Sequence, residues 1–139
     1  MADAKILEIN PLEAQALLTE QPGARLIDVR SKMEFDYVGH PIVAIHVPWK
    51  EFPSWDENPN FCDDVRKALE ASGIDGLDTP VLMLCRSGVR SKNAGNTLIK
   101  EGFGQVYNVL EGFEGDKDDS NHRGTLGGWR FRGLAWEQG

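Results

Sequence analysis

Residues 80–101 constrain the fold of this chain more than any other stretch. Val81, Leu82, Met83 and Leu84 form a short, wholly apolar run after Pro80, the pattern of a strand covered on both faces. The run stops at Cys85, and Arg86, Ser87, Gly88, Val89 and Arg90 make a basic, glycine-containing loop before residues 91–101 read as a helix. Where a strand hands over to a helix, a thiol lies among converging backbone N–H groups at the positive end of the helix macrodipole. Those groups, together with Arg86 and Arg90, favour thiolate over thiol and make Cys85 a candidate nucleophile. From Pro80 to Lys100 there is no Asp or Glu, while Arg86, Arg90, Lys92 and Lys100 are positive, in a chain of net charge −7. The stretch reads as an anion-binding site with a nucleophile at its centre. A small core residue is the plain alternative for Cys85. That alternative explains the cysteine but not the arginines and glycine beside it.

A chain of 139 residues is expected to form one domain over 1–139, large enough for a core and too short for two. Its 40% hydrophobic and 27% charged residues are ordinary for a soluble globular protein. The acidic balance argues against nucleic acid or an anionic membrane as partner. Two cysteines do not make a disulfide scaffold. The start, Met1 to Lys5, lacks a basic leader region, and no segment reaches the roughly 18 apolar residues of a membrane span. The expected location is a reducing cytoplasm.

The remaining strand candidates are 6–9, 24–28, 42–47 and 105–110, giving five with 80–84. Asn10 and Pro11 supply a helix cap and first helical position for 12–19. Residues 31–37 read as one or two helical turns stopped at Gly39, and 61–72 as a helix closed by Gly73. Strands alternating with helices imply an α/β fold, a parallel five-stranded sheet with helices on both faces. Ligands of such sheets bind beyond the carboxyl ends of the strands, where Cys85 falls. Residues 111–128 are polar and glycine-rich without a period. They read as a long surface loop that docks back through Trp129 and Trp136.

Three stretches, in order, resemble the single-domain rhodanese family of sulfurtransferases. They are Leu26-Ile27-Asp28-Val29-Arg30 with Glu34 and Phe35 after it, Gly39 to Pro48, and Cys85 to Ser91. The resemblance covers about Ile6 to Leu110. The chain departs from the family pattern at Val43, where a glycine is usual, and at Leu110 to Phe113, where paired glycines are. Its 111–139 segment is also longer than the minimal domain needs. The resemblance implies a ping-pong transfer. The Cys85 thiolate takes the outer sulfur of a small anionic donor such as thiosulfate or of a persulfide, sulfite leaving in the first case. The Cys85 persulfide then passes that sulfur to cyanide in the test tube, or to a thiol or sulfur-acceptor protein in the cell. Arg86, Ser87, Gly88, Val89 and Arg90 would bind the donor, their amides forming a nest round the terminal sulfur. Asp28, Arg30 and Ser91 would support the site, with Glu34 as the ion-pair partner of Arg30. No metal or organic cofactor is implied.

Rival readings are a cysteine phosphatase or arsenate reductase, an interaction module that keeps only the fold, and a sulfur carrier. The phosphatase pattern separates cysteine from arginine by five residues. Here four stand between Cys85 and Arg90, a narrower ring suited to one sulfur atom. His40 and His46 lack metal-ligand spacing and read as polar packing. Cys62 reads as a packing or surface residue in its helix, or as a resolving thiol. Arg130 and Arg132 read as solvated charges or as part of the site's rim, with 111–128 narrowing access to Cys85.

Overall fold

The computed structural model describes residues 5–74 and 77–139; Met1–Ala4, read above for a leader, lie outside it. The chain runs β1 (Leu7–Ile9), α1 (Pro11–Glu20), β2 (Arg25–Asp28), a π-helical turn (Glu34–Val38), β3 (His40–Pro41) and β4 (Ala44–His46). It continues through α2 (Phe61–Ala71), β5 (Val81–Leu84), α3 (Val89–Lys100), β6 (Val106–Val109) and β7 (Trp136–Glu137). Five strands form one sheet in the order β1-β6-β5-β2-β4, and every pairing in it is parallel. The expected α/β architecture is what the chain adopts.

The burial of β5 at every position follows from its place at the centre of that sheet, where both faces are covered. Val81, Met83 and Cys85 enter a core shared with Phe61, Val65 and Leu69 of α2 and Ala94 and Leu98 of α3. Leu82 and Leu84 turn to the other face, against Ala14 of α1 and, from the chain's end, Phe113 and Trp129. Cys85 therefore continues the strand alternation onto the α2–α3 side. Asp28 lies opposite both Leu84 and His46, so β2, β4 and β5 finish level, and Cys85 stands at their shared carboxyl edge.

Local chemistry sets the helix ends. The Asn10 side chain accepts from the Glu13 amide at 2.8 Å, and the Glu13 carboxylate accepts from the Asn10 amide at 3.0 Å, a reciprocal cap for α1. Gly88, at φ +109°, opens α3 two residues earlier than the polar run from Ser91 suggests, so Val89 and Arg90 belong to the first helical turn.

Three sequence expectations change. Residues 31–37 give a π-turn, whose wider ring is closed by the Gly39 amide donating to the Glu34 carbonyl at 3.3 Å. The strand expected over 42–47 is confined to Ala44–His46. Just before it, His40 and Pro41 pair antiparallel with Glu137 and Trp136 in a second, two-stranded sheet. That pairing joins distant ends of the chain, so no local pattern announces it. The 111–139 segment also does more than lie on the surface. Trp129 is 1% exposed and Phe113 is fully enclosed, so both complete the α1-side core. Trp136 stays partly exposed and lies where a Cβ on Gly39 would stand, 2.7 Å from that point.

Candidate active site

Cys85 is 1% exposed, and its sulfur receives two hydrogen bonds from its own loop and helix. The Gly88 amide donates to Sγ at 3.1 Å, its direction set by the left-handed backbone of Gly88. The Ser91 hydroxyl approaches Sγ at 3.2 Å from the first turn of α3. That same hydroxyl lies against the Asn108 amide oxygen, yet it has one proton for two acceptors. A thiol at Cys85 can donate to Ser91 and leave the hydroxyl proton on Asn108. A thiolate needs that proton turned toward sulfur. Asn108, buried on β6, is held by donating from its nitrogen to the Gly88 carbonyl at 3.0 Å and the Glu8 carboxylate at 3.1 Å. Both partners are acceptors, which fixes the amide with its oxygen toward Ser91.

Behind the loop stands a buried ion pair. Asp28 and Arg30 are both 0% exposed and meet at 2.7 Å, with a second contact from Arg30 Nε to Asp28 at 2.9 Å. Arg30 also donates to the Gly39 carbonyl at 2.7 Å, while its Nη1 has no hydrogen-bond partner. The guanidinium lies over the Phe113 ring at 4.6 Å, a cation–π contact. The pair ties the end of β2 to the C-terminal segment.

Glu34 does not pair with Arg30. It takes Arg90 in a two-pronged bridge of 2.8 and 2.7 Å, and accepts from the Ser31 hydroxyl at 3.0 Å. The π-turn carries Glu34 toward α3, and Asp28, two residues from Arg30 on the same strand end, is the carboxylate that Arg30 pairs with. Burial pushes the Glu34 carboxyl up, but the Arg90 and Ser31 hydrogen bonds and the Arg90 charge outweigh it and leave it below its ordinary value. The bridge to Glu34 raises Arg90 in turn. Arg90 is thus an anchored residue of the site, with less freedom than a donor-binding arginine at a loop tip.

A cavity of about 560 Å³ opens beside the loop, with Arg86 and Arg90 among its lining together with Ser31 and Glu34. Glu114 and Arg123 bring the C-terminal segment to its edge. Arg130 and Arg132, read from sequence as solvated charges or as rim residues, do not line the cavity. Arg132 pairs with Glu111 at 3.0 Å, and Arg130 stacks on Phe113 and Trp136 at 5.5 and 5.4 Å. Arg123 takes the rim position instead. The segment does meet the loop: the Phe113 amide donates to the Cys85 carbonyl at 2.8 Å and the Glu114 amide to that of Arg86 at 3.0 Å. Gly112 makes this approach possible, since a Cβ there would stand 2.5 Å from the Cys85 carbonyl oxygen and from the Arg86 carbonyl carbon.

Among the described residues no group of three or more His, Cys, Asp and Glu has the arrangement to hold a metal ion. His40 and His46 both stack on Phe35, with ring centroids 3.7 and 4.3 Å apart. Cys62 donates its thiol to the Thr97 carbonyl, and burial, then the Glu101 charge, pushes that thiol above its ordinary value. It is a poor thiolate at neutral pH. No helix among the described residues is long and apolar enough to cross a membrane. Sequence reasoning missed Asn108, Arg123 and the aromatic pair Phe52 and Trp55. Only Asn108 carried a signal, as a polar residue at an inward position of a strand.

Residues 10–119 match the rhodanese-like domain family model. The chain is 31% identical to thiosulfate sulfurtransferase GlpE of Haemophilus influenzae over 78% of this chain and 85% of that protein. Among solved structures it is similar to Rv0390 of M. tuberculosis, with 37% identity, a TM-score of 0.82, and coverage of 98% of this chain and 100% of that one. It is also similar to the polysulfide-sulfur transferase of Wolinella succinogenes, with 26% identity, a TM-score of 0.64, and coverage of 96% and 80%. These relatives support sulfur transfer in general. With a cysteine at the carboxyl edge of a parallel sheet, a loop that wraps its sulfur and a matching family model over most of its length, the chain belongs to the rhodanese-like domain family.

Proposed function

We propose that this protein is a sulfurtransferase that carries sulfane sulfur as a persulfide on Cys85. The observation that carries the proposal is the sulfur's surroundings: the Gly88 amide and the Ser91 hydroxyl converge on Sγ at 3.1 and 3.2 Å. Donors aimed at sulfur stabilise a thiolate, and after transfer they remain near the charge of the persulfide. With thiosulfate as donor, Cys85 thiolate attacks the outer sulfur. A bond forms between Sγ and that sulfur, the bond to the sulfonate sulfur breaks, and its electron pair leaves with sulfite. Arg86, with no carboxylate partner among the described residues, is the group available to the departing dianion. Loading from an organic persulfide is the same displacement with a thiolate leaving.

In this reading Cys85 is catalytic, residues 86–90 bind the donor through their backbone amides and the Arg86 side chain, and Asp28, Arg30, Ser91 and Asn108 hold the loop. Residues 1–139 act as one domain, the 111–139 segment included, in a reducing cytoplasm and without a cofactor. A phosphatase reading would need Arg90 to clamp an oxyanion, and both prongs of that guanidinium are committed to Glu34. The test is thiosulfate-to-cyanide transfer by wild type, Cys85→Ser and Cys62→Ser. The reading expects activity to vanish in the first variant and persist in the second. Activity retained without the Cys85 thiol would refute it.

A further inference from the structure

The cavity beside the Cys85 loop is larger and more apolar than thiosulfate, a compact hydrated dianion, requires. At about 560 Å³ it falls within the roughly 300–1,000 Å³ of pockets that take organic ligands. Its apolar lining is Met33, Val38, Phe52 and Trp55. Phe52 and Trp55 are 55% and 43% exposed, and their rings meet edge to face at 6.3 Å. Two large rings half in water at the mouth of a site are surface kept for something that binds there.

The rings are held in place. Lys50 and Glu57 pair across the base of the 50–57 loop, and the Trp55 amide donates to the Glu51 carbonyl at 2.8 Å. The Glu51 carboxylate accepts from the amides of Phe52 and Lys32, each at 3.0 Å. Trp55 itself adopts φ +60°, a backbone conformation a bulky residue enters only when its surroundings impose it. Its ring lies 5.9 Å from the Arg90 guanidinium, which links the aromatic wall to the loop of the nucleophile.

Charge completes the description. Among the described residues neither Arg86 nor Arg123 pairs with a carboxylate, and both line the cavity. Arg123 is fixed by donating to the Gly115 carbonyl at 2.7 Å. Resting on the sulfur transfer proposed above, we propose that this cavity is an acceptor subsite that selects, among thiols, a small one with an apolar body and a carboxylate. The thiol's carbon body lies on Phe52 and Trp55, and its carboxylate is met by Arg86 and Arg123. The acceptor thiolate attacks the outer sulfur of the Cys85 persulfide. A sulfur–sulfur bond forms to the acceptor, the bond to Cys85 Sγ breaks, and its electron pair returns to Sγ as thiolate. No oxidant or reductant is consumed. A small thiol fits better than a protein cysteine because the acceptor thiolate must reach the outer sulfur carried by a cysteine that is almost wholly enclosed, beside a concave wall.

The test loads Cys85 with sulfur and follows single-turnover transfer to cyanide, mercaptoethanol, mercaptopropionate, benzyl mercaptan and mercaptomethylbenzoate, compared at equal thiolate concentration. Mercaptomethylbenzoate, with both a ring and a carboxylate, is expected to exceed mercaptoethanol by tenfold or more in kcat/KM. In a Phe52→Ala, Trp55→Ala variant its kcat/KM relative to cyanide falls about tenfold, as expected when most of an aromatic contact is lost. Phe52→Ala alone, which leaves the Trp55 backbone in place, moves the ratio the same way. Arg123→Gln lowers mercaptomethylbenzoate relative to benzyl mercaptan. Equal rates across the thiols, an unaltered ratio in the variants, or faster transfer to a folded protein bearing a surface cysteine would each overturn the inference. Where cyanide is served and the thiols are not distinguished, sulfur transfer stands and the aromatic wall has no part in it. Where cyanide receives no sulfur, the proposed function fails first and this inference with it.

Discussion

The two sides of the Cys85 loop are built on opposite principles. The inner side is buried and densely hydrogen-bonded. Ser91, Asn108 and Gly88 fix one another around the sulfur, with the Asp28–Arg30 pair behind. The outer side, from Arg86 through Arg123 to Phe52 and Trp55, is half in water, and among the described residues Arg86 and Arg123 have no carboxylate partner. In the proposed reading the inner side holds a sulfur atom in one geometry, and a buried, interlinked polar network serves that. The outer side has to receive a partner, and unspent aromatic surface and charge are what a partner can use. In the proposed reading, chemistry is set on one side and selectivity on the other.

Breaking the inner side should cost the most. Arg30→Ala leaves the Asp28 carboxylate buried and unpaired, and a loss of about 3–5 kcal/mol in chemical denaturation is expected. A loss under about 1 kcal/mol would mean the pair contributes little to holding the fold. Gly112→Ala comes next. Its Cβ meets backbone atoms of Cys85 and Arg86 at 2.5 Å, and its φ of +65° disfavours any side chain. About 1–3 kcal/mol of destabilisation is expected, with a drop in transfer rate because the nucleophile's own backbone must shift. A stable variant of unaltered rate would show the close approach to be dispensable.

Ser91→Ala sharpens the comparison without unfolding anything. It removes one donor to the thiolate, so alkylation of Cys85 by iodoacetamide at neutral pH is expected to slow about fivefold, the equivalent of roughly 1 kcal/mol. An equal or faster rate would assign the thiolate's stabilisation to Gly88 and the helix alone. The smallest effect belongs to Glu34→Gln. The folded protein holds the Glu34 carboxyl below its ordinary 4.5. Its contribution is therefore complete above that value and is lost as pH falls through the lower folded one. Acid unfolding curves of the variant should be shallower below pH 4.5 than those of the wild type. Superimposable curves would mean that the Arg90 bridge contributes no pH-dependent stability.

The fold was legible because its signals are local. The apolar run of β5, the Asn10–Pro11 cap and the turn glycines each act within a few residues. The sulfur's place at the sheet's carboxyl edge follows from the same signals. What stayed hidden depends on contacts between distant residues. Glu34 looked like a partner for Arg30 by proximity in sequence, yet Asp28 takes Arg30 and the π-turn aims Glu34 at Arg90, 56 residues on. Asn108 joins Ser91 across 17 residues and Glu8 across 100. The antiparallel pairing of His40 with Glu137 likewise has no pattern of its own. In the C-terminal segment, the sequence pointed to a surface loop over 111–128 that docks back through Trp129 and Trp136, and Trp129 does enter the core. The burial of Phe113, within the stretch read as surface loop, was the part that composition hid.

The central claim is that Cys85 carries sulfur, and intact-protein mass spectrometry after brief exposure to thiosulfate or to an organic persulfide tests it most directly. The account predicts an adduct of one sulfur atom, mapped by peptide analysis to Cys85, removed by cyanide and absent from Cys85→Ser. An unmodified Cys85 after both donors, or an adduct carried by Cys62 instead, would contradict it.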